Sequence, residues 1–98
     1  MAKNVSDDKA FWFCNRSGCV GKAAHSISEF SENIRTVPTD SLEFHLRGNK
    51  NDFEEWLTKI MEEPKLAEEF KKIKSKGLKG EALKVAINKI AKKIVKSA

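Results

Sequence analysis

Apolar positions follow two periods along the chain, and each period predicts an element. Ala10–Cys14 reads Ala-Phe-Trp-Phe-Cys, and after Asn-Arg-Ser-Gly at 15–18 the stretch Cys19–Ala24 resumes small and apolar. This predicts a β-hairpin with a turn of about four residues. Alternation along the first strand sends Phe11 and Phe13 to one face and Trp12 to the other. A two-stranded ribbon alone is marginal in water, so helices must cover one of its faces.

The rest of the chain has helical spacing. Ser26 with Glu29 makes a capping-box pattern, and Ile27, Phe30, Ile34 and Val37 give a stripe that predicts a helix over 27–35, ended at Val37-Pro38 because the residue before proline is pushed out of the α region. Thr39–Ile60 is the densest apolar stretch. Thr39 or Asp40 caps a short helix, Ser41–Arg47, in which Leu42, His45 and Leu46 share a face and Phe44 points elsewhere. Gly48 suits a left-handed stop. Asn51 and Glu54 then open a second helix, where Phe53, Trp56, Leu57 and Ile60 fall at i, i+3, i+4 and i+7. Pro64 fits a first helical turn; Leu66, Phe70 and Ile73 form its stripe, and Gly77 ends it. Gly80 and Glu81 open the last helix, whose seam is Leu83, Ile87, Ile90 and Ile94. The predicted fold is mainly α (α+β), a short N-terminal β-hairpin packed on a compact bundle of four to five helices. It forms one globular domain over residues 10–98, with residues 1–9 a flexible polar end.

The order of these segments resembles a family of small archaeal proteins and domains of unknown function. Its marks are a Ser-Leu-x-Phe-His-Leu element, here Ser41–Leu46, and an Asp-Phe-x-x-Trp-Leu helix start, here Asp52–Leu57. The resemblance covers about residues 10–90. It implies an archaeal-type cytoplasmic protein and supplies no activity.

Composition adds limits. Ninety-eight residues support one core. No apolar run approaches the roughly 20 residues that span a bilayer, and the first residues lack the apolar middle of a signal peptide. A cytoplasmic location is expected, with Cys14 and Cys19 as free thiols. The net charge of +5 conceals an asymmetry: residues 1–70 hold nine Lys/Arg against thirteen Asp/Glu, and residues 71–98 hold ten Lys against the single acid Glu81.

That tail is one candidate site. Lys71, Lys72, Lys74, Lys76, Lys84, Lys89, Lys92, Lys93 and Lys96 could neutralise phosphates of a nucleic acid or another polyanion. With no Arg for bidentate base contacts and no aromatic for stacking, such binding would be sequence-independent. The plainer reading is a solvated face that keeps the protein soluble. A membrane-surface role lacks Trp or Phe at the boundary, and no membrane partner is expected.

Other residues point less clearly to chemistry. Cys14, Cys19, His25 and His45 could number four zinc ligands, but proven sites are spaced more tightly, and no metal or cofactor is expected. His45, on an apolar helix face, reads as a hydrogen-bonded core histidine; as a base it would need Asp40 or Asp52 in reach. There is no Gly-rich phosphate loop, Ser-His-Asp order or HExxH, so no enzyme is expected. Phe11, Trp12 and Phe13 form the second candidate site, since one strand face must leave an aromatic partly exposed or covered by another chain. The sequence therefore reads as a non-catalytic module binding an unidentified protein through these aromatics. Sequence-independent nucleic-acid binding through the lysines is the alternative.

Overall fold

In the computed structural model, which describes residues 4–97 and the side chains of residues 4–94, Phe11–Asn15 (β1) pairs antiparallel with Gly18–Ala24 (β2). Phe11 lies opposite Ala24, Trp12 opposite Ala23 and Phe13 opposite Lys22; the register then slips, and Cys14 lies opposite Cys19. Val20 and Gly21 are the two residues of β2 that the slip leaves over. Gly21 has φ +82, a conformation that glycine adopts at little cost and that bulges use.

Five helices come after the hairpin: Ile27–Thr36 (α1), Thr39–Phe44 (α2), Asp52–Lys59 (α3), Pro64–Lys76 (α4) and Gly80–Ser97 (α5). This is the hairpin-plus-bundle architecture that the apolar periods predicted. Local chemistry sets the ends. Ser26 Oγ accepts from the Glu29 N–H at 3.1 Å, while the Glu29 carboxylate accepts from the His25 N–H at 2.7 Å, one residue before the cap. Asn51 Oδ1 accepts from the Glu54 N–H at 3.0 Å, and its Nδ2 donates to the Phe70 carbonyl at 3.1 Å, so one side chain caps α3 and ties it to α4. The Glu43 carboxylate accepts from the Gly80 N–H at 2.7 Å, at the start of α5.

The short second helix differs from expectation, running Thr39–Phe44 instead of Ser41–Arg47. Pro38, with φ −60, already has a helical φ and starts the turn earlier. At the other end the Leu46 and Arg47 N–H groups bond three residues back, to Glu43 and Phe44, a tightening that uses up a last turn. The Arg47 guanidinium also donates to the Phe44 carbonyl at 2.8 Å, and the Lys74 ammonium donates to the Leu46 and Gly48 carbonyls. The freed C-terminal carbonyls are thus taken by cations, as the helix dipole favours.

The core forms where β1 meets α1, α3 and α4. Phe53 has no exposed surface. Its ring stacks on Phe11 at 5.2 Å and 19° and meets Phe30, His45 and Phe70 at 5.8, 5.4 and 5.2 Å. Trp56 and Leu57 turn inward with it, whereas Ile60, expected on the same stripe, is half-buried at the end of α3. On the far side the α5 seam of Leu83, Ile87, Ile90 and Ile94 is buried with Ala91, and Ser31 of α1 donates to the Ala91 carbonyl at 3.2 Å.

Residues 1–3 of the expected flexible end lie outside the described residues. Beyond them, the Val5 N–H donates to the His25 carbonyl at 2.8 Å, Asp7–Lys9 form a 3-10 turn, and the indoles of Trp12 and Trp56 donate to the Asp7 and Lys9 carbonyls at 3.0 and 2.8 Å. Residues 5–9 are therefore fastened to β1, to α3 and to His25, the residue that follows β2.

Phe53→Ala is expected to destabilise the fold by ~3–5 kcal/mol, because it empties the centre of the aromatic cluster. Urea unfolding checks this; a loss under ~1 kcal/mol would place Phe53 outside the core.

Candidate functional site

Trp12 stands on the face of β1 that the helices do not cover. It is 46% exposed, while Phe11 is 5% and Phe13 0% exposed. Of the three aromatics expected to bind a partner, two are therefore core residues, and Phe13 has no surface to offer. Alternation along the strand decides this: the face that meets Phe30 and Phe53 buries both phenylalanines and turns Trp12 out.

Trp12 forms one wall of an open cleft of about 380 Å³, lined also by Ala10, Phe11, His45, Asp52, Glu55, Trp56, Lys59 and Ile60. Because both indole N–H groups already donate to backbone carbonyls, the rings are fixed and turn apolar surface to the cleft. Two carboxylates join them there. Glu55 pairs with Lys59 at 3.2 Å on the exposed side of α3, a contact worth little. Asp52 Oδ2 lies 2.8 Å from Nδ1 of His45.

His45 is a buried hydrogen-bonded histidine, as its apolar helix face suggested, and its partner is Asp52 rather than Asp40. Nε2 accepts the Cys14 N–H at 3.0 Å. An amide can only donate, so Nε2 is unprotonated and Nδ1 carries the proton toward Asp52. Burial pushes the His45 pKa down, against the opposing pull of the Asp52 hydrogen bond. The imidazole is therefore neutral and leaves the negative charge of Asp52 uncancelled. Both ring nitrogens are engaged, and a backbone amide occupies the position where a catalytic pair would hold its nucleophile. The ring acts as a bridge between β1, α2 and α3.

Asp40 instead accepts from Asn15 Nδ2 at 3.3 Å, and Ser41 Oγ donates to the Cys14 carbonyl at 2.8 Å. His25 stands apart from His45, with Nε2 2.7 Å from Asp7 and Nδ1 3.0 Å from Glu29; the Asp7 and then the Glu29 carboxylate raise its pKa. Cys14 and Cys19 face each other, their Sγ atoms 2.7 Å apart. The four candidate zinc ligands are not brought together: among the described residues no three His, Cys, Asp or Glu side chains form a group that could hold a metal ion.

The lysines divide. Lys74 donates to the Leu46 and Gly48 carbonyls in the turn after α2, Lys84 donates to the Val37 carbonyl at 3.4 Å, and Lys93 pairs with Glu69 at 3.3 Å. Lys71, Lys72, Lys76, Lys89 and Lys92 are exposed, and the side chain of Lys96 lies outside the described residues. Among the described residues no helix is long and apolar enough to cross a membrane.

The sequence pointed to Trp12 and named Asp52 as a possible partner of His45, but it did not bring Asp52 and Glu55 to one cleft with Trp12. Position on the first turn of α3 was the one visible signal that the two carboxylates lie together. Over residues 2–92 the chain matches a family of unknown function, DUF5752. No curated protein and no solved structure matches it.

The two histidines should titrate on opposite sides of the ordinary value of about 6.5. For His45, with its folded value lowered, the stability it contributes is complete above about 6.5 and declines as pH falls through the folded value. For His25, with its folded value raised, the contribution is complete below about 6.5 and is lost as pH rises through that value. NMR titration of the ring protons checks both; Asp52→Asn should lower the His45 value further, and a His45 titrating above 6.5 would contradict a neutral buried ring.

Proposed function

The chain belongs to this family of unknown function, and on that premise we propose that it is a non-catalytic interaction module whose cleft accepts a cationic side chain, Arg or Lys, from an apolar segment of a partner protein. The observation that carries this reading is the pairing of an exposed but fixed indole with a carboxylate whose charge its neutral neighbour does not cancel. A guanidinium or ammonium group is attracted to both, by cation–π contact with Trp12 and by charge with Asp52. The methylene stem would lie on the apolar surface of Trp12, Trp56 and Ile60. Rigid aromatics bind at low entropic cost, which is why a few of them dominate many interfaces. The engagement of both His45 nitrogens supports a binding role over catalysis.

A second reading rests on α5. Val85, Lys89 and Lys92 are exposed at i, i+4 and i+7, opposite the buried seam, and form an outward basic ridge. Such a ridge would hold a polyanion without sequence preference. A gel shift with duplex DNA at low salt tests it: loss of the shift in a Lys89→Glu/Lys92→Glu variant supports the reading, and no shift for the wild type overturns it.

For the cleft, two capped peptides, Leu-Arg-Leu and Leu-Glu-Leu, are titrated into 15N-labelled protein. The arginine peptide is expected to shift the Ala10, Trp12, Asp52 and Glu55 amides saturably, and the glutamate peptide is not. Trp12→Ala should weaken this binding by about tenfold or more while the denaturant midpoint stays near that of the wild type. Equal response to the two peptides, or none at the cleft, would contradict the proposal.

A further inference from the structure

Cys14 and Cys19 stand directly opposite each other on paired strands, and the bulge in β2 is what puts them there. Had the register of Phe11 to Phe13 continued, Cys14 would face Gly21; the two residues left over at Val20 and Gly21 bring Cys19 into that place instead. Directly paired residues of antiparallel strands have Cα atoms about 4.5–5.5 Å apart, inside the range that disulfides span. The sulfurs are already in contact at 2.7 Å, and both cysteines are free thiols. We propose that this pair is a reversible dithiol–disulfide site, oxidised by a small-molecule disulfide and reduced by thiols.

The two cysteines differ in ways that order the exchange. Cys19 is exposed and Cys14 half-buried. Burial, and then contact with Cys19, pushes the Cys14 thiol up to about 11, so it stays protonated at neutral pH. Attack therefore starts at Cys19. Its thiolate bonds to one sulfur of the small disulfide and expels the other as a thiolate, leaving a mixed disulfide on Cys19. Cys14, held against that sulfur, then gives its proton to solvent and attacks it, and the second small thiolate leaves. Two protein thiols are oxidised and one small disulfide is reduced to two thiols.

Closing this bond requires no refolding, because β1 and β2 are already paired on both sides of it. It does stiffen a residue with other duties. The Cys14 N–H binds His45 Nε2, and the Cys14 carbonyl accepts from Ser41 Oγ. The redox state of the hairpin tip is thereby coupled to the anchor of α2 and, through His45, to Asp52.

The test is incubation of the full chain with oxidised glutathione, followed by alkylation of remaining thiols and intact-mass analysis. Wild type is expected to end two hydrogens lighter, with no alkyl label and no glutathione retained, and dithiothreitol should restore both thiols. Cys14→Ser should stop with glutathione on Cys19, and Cys19→Ser should react about tenfold more slowly than Cys14→Ser. Wild type that retains glutathione, keeps both thiols open to alkylation, or forms a disulfide-linked dimer on a non-reducing gel would overturn the proposal.

Discussion

Contact between Phe11 and Phe53 decides which face of the hairpin is buried, and most of the remaining structure depends on it. The two rings stack at 5.2 Å, one from the first strand and one from the first turn of α3. Once Phe11 is drawn under α3, strand alternation fixes Phe13 inward and Trp12 outward. A two-stranded ribbon has too little buried surface to hold itself, so the helices stabilise the hairpin as much as the hairpin covers the helices. Offset and edge contacts among Phe11, Phe13, Phe30, Phe53, Phe70 and Trp56 add geometric preference to the burial itself, and this favours one arrangement over slipped alternatives.

Polar groups near this cluster reinforce the same arrangement. His45 is surrounded by Phe11, Phe44 and Phe53 rings at 4.7 to 5.4 Å, and its nitrogens face the Cys14 amide and the Asp52 carboxylate. A buried ring in this position is tolerated because both its polar atoms are satisfied. Its neutrality has a consequence at the surface. A charged imidazole would cancel Asp52, whereas a neutral one orients the carboxylate and leaves its charge to whatever enters the cleft. The acidic cleft lies beside β1 and α3, and the exposed lysines lie on α4 and α5, so the excess charges of opposite sign sit on different elements.

Much of the fold was legible in sequence because the signals were local. Ser26, Asn51, Pro64 and Gly77 act where their side chains or backbone preferences said they would, and the α5 seam is the predicted one. The short second helix was misplaced because Pro38 starts it earlier and three-residue-back bonds end it at Phe44; the carbonyls that follow are taken by Lys74, 28 positions after Leu46, and no window of sequence contains both. The bulge at Val20 and Gly21 was hidden for a similar reason: it exists to reconcile the inward register of Phe11 and Phe13 with the tight turn at Arg16-Ser17. The candidate site was half visible. Alternation exposed Trp12 and buried its neighbours, so the expected site of Phe11, Trp12 and Phe13 shrank to one exposed indole. Asp52 was visible only as a possible neighbour of His45, and its place with Glu55 beside Trp12 was hidden, because only the docking of α3 against β1 turns them toward that indole.

If the hairpin is seated by this stack, Phe11 and Phe53 are energetically coupled across the contact between β1 and α3. A double-mutant cycle on Phe11→Leu and Phe53→Leu, read by urea unfolding, measures that coupling directly. The expected interaction energy is ~0.5–1.5 kcal/mol in favour of the native pair. Additive losses, with no coupling beyond error, would mean that the strand and the helix are held together by something other than this stack.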